Sequence, residues 1–258
     1  MTSLGVKLAA LAGALVLAAC AMEERAPETN GDAARAAEAV ANPARSAEDR
    51  ADDALRKPAN VLAFAGIAPG DHVFELEAGL GYYTELLSYM VGPDGLVVFQ
   101  NPESFQGFVG DAFEKRIPGR LENTRMTVSN FDALEAEDAS MDVVTWILGP
   151  HDLYYEPNGA SLGNDAQAFA EIMRILKPGG TFVVLDHAAP PGSPKSTGGT
   201  IHRIDPAIVL QLAEEAGFVL AGESNVLRNP DDDLQTNIFD PAVRRKTDQF
   251  LYKFKKPE

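Results

Sequence analysis

Apolar and polar positions change rhythm three times along the chain. Leu8 to Ala18 is apolar without polar interruption and follows the basic Lys7. A run of about a dozen residues is too short for a permanent membrane-spanning helix and fits the hydrophobic region of an export leader. From about Ala21 to Ala44 large apolar residues nearly vanish among Ala, Glu, Arg, Asp and Pro. Such a stretch has little to bury and reads as a disordered tether, although Ala, Glu and Arg also favour helix. Sustained apolar content begins after Ser46, with Leu55, Val61, Leu62, Phe64 and Ile67. Ser46 is placed to cap a helix, with Asp49 three residues on. Pro58 separates two short helices, and Pro69-Gly70-Asp71 is a turn.

From there strands and helices alternate. The pattern predicts strands at His72 to Leu76, Gly95 to Gln100, Arg125 to Val128, Asp142 to Leu148 and Thr181 to Asp186. It predicts helices near Tyr82 to Val91, Glu103 to Arg116, Asp165 to Leu176 and Pro206 to Ala216. Lys177-Pro178-Gly179-Gly180 reads as a stop and turn. Phe218 to Ser224 and Asp248 to Phe254 are two further strands. This alternation implies a parallel sheet covered on both faces, with ligands bound beyond the carboxyl ends of the strands.

The 258 residues suffice for one large α/β domain. The formal charge is −16, and loss of a leader carrying Lys7 would make it −17. Such acidity repels phosphate backbones and anionic lipid, so a nucleic-acid partner is not expected. Cys20 is the only cysteine. It closes the stretch Leu17-Ala18-Ala19-Cys20, which resembles a bacterial lipoprotein signal. The resemblance implies cleavage before Cys20 and acylation of that cysteine, leaving no free thiol, disulfide or cysteine-ligated metal. Ala21 in the next position favours the outer membrane, facing the periplasm. The expected organisation is a leader over residues 1–19, a tether over 20–45 and a folded domain over 46–258.

The first strand leads into Glu75-Leu76-Glu77-Ala78-Gly79-Leu80-Gly81, with a helix opening at Tyr82. Glycines there let the backbone turn sharply and approach a ligand, and the helix N-terminus offers free N–H groups. A dinucleotide fingerprint would need a third glycine where Thr84 stands. The acid-x-x-x-Gly-x-Gly pattern instead resembles motif I of class I S-adenosylmethionine-dependent methyltransferases. The likeness runs from about Ser46 to the end, to a group of bacterial methyltransferases, many with export leaders. It is carried by KPANVLAFAGIAPGD, GLGYYTELL, VVFQNP, LGPHDLYY, ILKPGGTFVVLDHAAPPGS, HRID, LRNP and TDQFLYKFKKP.

The resemblance implies a doubly wound, Rossmann-like, mostly parallel seven-stranded sheet and S-adenosylmethionine as cofactor. It implies that Glu75, Glu77, Gly79, Gly81 and Tyr82 form the cofactor loop. Gln100 and Asn101 would lie at the ribose, and Phe131 and Asp132 at the adenine. Two positions depart from the broad pattern. Glu77 stands where the first glycine usually is, crowding the cofactor and opposing its carboxylate. Asn101 replaces the usual ribose-gripping acid and lacks its charge.

His151 beside Asp152, His187 beside Asp186, and His202 beside Arg203 fall near the sheet's carboxyl edge. They are the candidate acid–base residues for a small-molecule acceptor, with His151 or His187 as base. His151, Asp152, Asp186 and His187 would chemically suit zinc or manganese, but no ligand spacing supports a metal and none is expected. Trp146, Tyr82, Tyr83, Tyr154 and Tyr155 could line a pocket but read first as core. Asp231-Asp232-Asp233 reads as a solvated turn, with calcium a weaker alternative. The chain is therefore expected to be a lipid-anchored methyltransferase. The rival reading is a non-catalytic lipoprotein that binds a small molecule through a retained methyltransferase fold. No oligomeric state follows from the sequence.

Overall fold

The computed structural model describes residues 29–117 and 119–258, together with Met1. The expected leader and Cys20 lie outside the described residues. The strands are β1 (His72–Leu76), β2 (Leu96–Asn101), β3 (Thr124–Val128), β4 (Met141–Ile147), β5 (Leu176–His187), β6 (Val219–Ser224) and β7 (Gln249–Lys255). They form one sheet in the order β3-β2-β1-β4-β5-β7-β6. β7 runs antiparallel to both of its neighbours, and the other pairings are parallel.

Alternation along the strands divides the core into two layers. Val73, Val97, Val143, Val183 and Leu251 face one side. They meet α1 (Thr29–Ala41), α3 (Pro58–Ala65) and α4 (Tyr82–Val91). Phe74, Val98, Val144, Phe182 and Phe250 face the other side. There they pack on α7 (Asp165–Ile175) and α9 (Pro206–Glu215) through Phe169, Ile172, Val209 and Leu212. No helix among the described residues is long and apolar enough to cross a membrane.

Local chemistry sets several boundaries. The Ser46 hydroxyl accepts the Asp49 N–H at the start of α2 (Ala47–Arg56). Lys57, with φ +44, then turns the chain into α3, whose first residue is Pro58. Three expectations change. The segment read as tether contains α1, whose Ala36 and Ala39 are buried against the domain. Small side chains let that helix sit close even though it carries few large apolar groups. The helix expected over Glu103 to Arg116 is broken into a 3₁₀ turn, α5 (Gln106–Val109) and α6 (Ala112–Arg116), with Gly110 at φ +53 between the last two. Lys177 to Gly180 is drawn into β5, with Gly179 at φ +72, instead of preceding the strand.

Candidate active site

The chemistry-bearing residues gather at the carboxyl ends of β1, β4 and β5. Glu75 lies one residue before the end of β1, and its Oε2 accepts the Thr84 hydroxyl at 2.6 Å. This bond ties β1 to the first turn of α4. Burial pushes the Glu75 carboxyl up to about 8, against the Thr84 bond and the nearby Arg116. The loop that follows holds left-handed backbone at Glu77, Gly79 and Gly81. A side chain at Gly79 would meet open space, whereas one at Gly81 would run into the Phe113 ring of α6.

The Glu77 side chain is held by protein neighbours. Its Oε2 accepts the Trp146 indole N–H at 3.1 Å, and its carboxyl hydrogen-bonds Asp152. Burial first, then Asp152, raises its pKa well above the usual carboxylate range, so the expected charge repulsion is removed by protonation. Asn101 and Gln100 also differ from expectation. Asn101 Oδ1 accepts the Gly79 N–H and its Nδ2 donates to the Gly79 carbonyl. Gln100 Oε1 accepts the Glu77 N–H, while Nε2 donates to Ser129 O. Both amides brace the loop and neither is exposed by more than 1%. Tyr82 turns its hydroxyl to Asp53 at 2.6 Å, with Arg56 over its ring, and so faces α2. Phe131 is wholly buried against Trp146. Asp132 Oδ2 accepts the Asn164 N–H at 2.8 Å.

The three histidines come together. His151 Nδ1 is 2.7 Å from Asp186 Oδ1, and the His151 N–H donates to Asp186 Oδ2. The His151 ring centroid lies 5.9 Å from that of His187 and 5.4 Å from that of His202. Burial opposes charge on His151, but Asp186 and then Asp152 push its pKa up to about 9. Burial and the neighbouring His151 hold His187 well below the usual imidazole range. His187 is therefore neutral at physiological pH and the better proton acceptor of the two. Its Nδ1 lies 2.6 Å from Thr247 Oγ1; with the proton on Nδ1, Nε2 is free to accept.

His187 also lines a cavity of about 200 Å³. Leu55, Tyr83, Leu148, Leu227 and Phe239 supply apolar walls, and Arg56, Arg244 and Arg245 supply guanidinium groups. The sequence places neither Thr247 nor Glu77 in this cluster. Thr247 carries no local signal, while the acid at a glycine position of the loop marks Glu77 as unusual. The acidic run is also not simply solvated. The Asp232 side chain is buried in a two-pronged pair with Arg203, at 2.7 and 3.0 Å.

The family model described as a methyltransferase domain matches residues 78–184. Two curated relatives are named ubiquinone/menaquinone biosynthesis C-methyltransferase UbiE. That of Hydrogenovibrio crunogenus is 31% identical over 128 residues, covering 49% of this chain and 46% of its own. That of Erwinia tasmaniensis is 28% identical over 171 residues, covering 66% of this chain and 64% of its own. The chain thus spans less than two thirds of the length of either relative. A solved S-adenosylmethionine-dependent methyltransferase from Aquifex aeolicus aligns with a TM-score of 0.55 at 17% identity, over 79% of this chain and 97% of its own.

Proposed function

We propose, from a chain with the α/β Rossmann-like fold of the S-adenosylmethionine-dependent methyltransferases, that it moves a methyl group from that cofactor to a small apolar molecule. The observation that carries the reading is the left-handed turn at Glu77, Gly79 and Gly81, set between β1 and α4. Bound S-adenosylmethionine supplies an activated methyl on a sulfonium. Gly79 and the N–H groups opening α4 fit its approach. The cover over the loop does not stand open: Phe113 lies on Gly81, and Asn101 and Gln100 are closed over by protein. Binding in this reading therefore displaces α6.

The acceptor occupies the cavity beside His187, which takes its proton. The apolar walls agree with a quinone-like ring of the kind for which the relatives are named. The resemblance of Leu17 to Cys20 to a lipoprotein signal supports a location at the cell envelope, anchored through Cys20. The closed groove favours a second reading, in which the domain binds a small molecule in that cavity without transferring methyl groups.

Calorimetry with S-adenosylhomocysteine separates the two readings. The enzyme reading expects binding by the parent chain and its loss in Gly79→Val. A folded parent that binds neither S-adenosylhomocysteine nor S-adenosylmethionine leaves the binding-protein reading. Equal binding by parent and Gly79→Val moves the cofactor away from this loop.

A further inference from the structure

Three side chains left unassigned by methyl transfer converge from two segments. His151 and Asp152 stand in the 3₁₀ turn that follows β4, Pro150–Tyr154. His202 ends α8 (Thr197–Ile201) with its backbone at φ +55. His151 Nε2 lies 3.4 Å from Asp152 Oδ1, and His202 Nδ1 lies 3.3 Å from the same oxygen. One donor atom from each of the three residues falls within 4.8 Å of the other two. A tetrahedral ion with bonds of about 2.0–2.1 Å separates neighbouring ligand atoms by about 3.3 Å. Two edges of the triangle already have that length.

The surroundings favour a cation. Asp152 and Asp186 are both buried beside His151, while protonated Glu77 adds no charge. Among the described residues, no lysine or arginine forms an ion pair with Asp152 or Asp186. The His151–Asp186 bond also engages the ring nitrogen that points away from Asp152. That is the arrangement by which a carboxylate fixes the tautomer of a metal-binding imidazole and leaves the other nitrogen free to ligate.

His202 is held as firmly. The next residue, Arg203, is buried and donates to Asp232, to Ala188 O and to Thr236 O. These bonds over-determine a backbone conformation that few side chains adopt. Phe239 packs on the His202 ring at 4.9 Å and also lines the apolar cavity.

We propose that His151 Nε2, Asp152 Oδ1 and His202 Nδ1 bind one divalent first-row transition-metal ion at the edge of that cavity. Two imidazoles and a carboxylate suit zinc, ferrous iron or manganese. Three protein ligands leave a coordination position for water or for an oxygen of a molecule in the cavity. Binding of the ion stands whether or not the domain transfers methyl groups.

The test uses the full, untagged chain carrying Cys20→Ser, so that no thiol competes, stripped with a chelator and dialysed. Cobalt chloride is titrated by visible absorption, and zinc chloride by calorimetry and by displacement of cobalt. The expected result is one equivalent per chain and a cobalt band that zinc abolishes. His202→Gln and Asp152→Asn each weaken zinc binding at least about tenfold, and Asp186→Asn weakens it by about 10- to 100-fold. His72→Gln, on β1, leaves it unchanged. Circular dichroism checks that each variant is folded. A folded parent that binds neither metal stoichiometrically overturns the proposal, whatever the variants do. So does parental affinity in folded His202→Gln and Asp152→Asn.

Discussion

At the scale of single residues, burial inverts what charge alone predicts. Glu77 reads in the sequence as a repulsive carboxylate against a cofactor, yet the side chain turns under Gly149 and carries a proton. The spacing of the motif places its Cα, but not the direction of its side chain, which the left-handed backbone decides. Glu75 offers the cleaner measurement. Its folded pKa is about 8, above its ordinary value of 4.5. Between those values the unfolded chain has released the proton and the native state still holds it. Stability therefore falls as pH rises through the window, by up to about 1.4 kcal/mol per pH unit from this group, and this group adds no further loss above its folded pKa. Glu75→Gln is neutral throughout and keeps an acceptor for Thr84. Urea unfolding at about pH 5 and pH 8 should show a smaller alkaline loss in the variant than in the parent. The shifted Glu77 adds a slope of the same sign, so the loss shrinks without vanishing. Identical losses would mean that Glu75 is ionised in the folded protein.

At the scale of elements, apolar period decides what is legible. β1 and α4 match the sequence reading to the residue, because each is buried almost throughout and bounded by turn residues, Gly70-Asp71 before the strand and Gly81 and Gly92 around the helix. The stretch from Glu103 to Arg116 has helical composition but breaks at Gly110, whose positive φ cannot be read from periodicity. The convergence of the 3₁₀ turn and α8 is likewise hidden, because it depends on backbone approach. A Cβ on Gly198 would come within 2.2 Å of the His151 carbonyl oxygen, and one on Gly199 equally close to that of Tyr154. Gly198→Ala tests that approach by its sign. Helix propensity alone would stabilise the variant by about 1 kcal/mol. The close backbone contact predicts instead a loss of about 1–3 kcal/mol in urea unfolding, as α8 is pushed off the turn.

At the scale of the whole molecule, the mostly parallel sheet with two covered faces follows from alternating strands and helices, and the histidine cluster falls at the strand ends where that architecture places ligands. The closed groove and the docked α1 do not follow, since both depend on which surfaces cover others. Intact-mass analysis of native protein extracted from membranes tests the anchor: the dominant species should lack residues 1–19 and carry acyl mass on Cys20, and a dominant form retaining Met1 would sink the proposal. The helix α1 then acquires a mechanical meaning. A long tether would let the domain roam, but α1 begins at Thr29 and docks on the body through Ala36 and Ala39. With Cys20 acylated, only eight residues separate the lipid from the start of that helix. Fully stretched, such a leash reaches about 30 Å. If the proposed anchor holds, the α1 face stays within a short distance of the bilayer, and the domain would sample molecules held in or near that layer rather than those free in the surrounding volume.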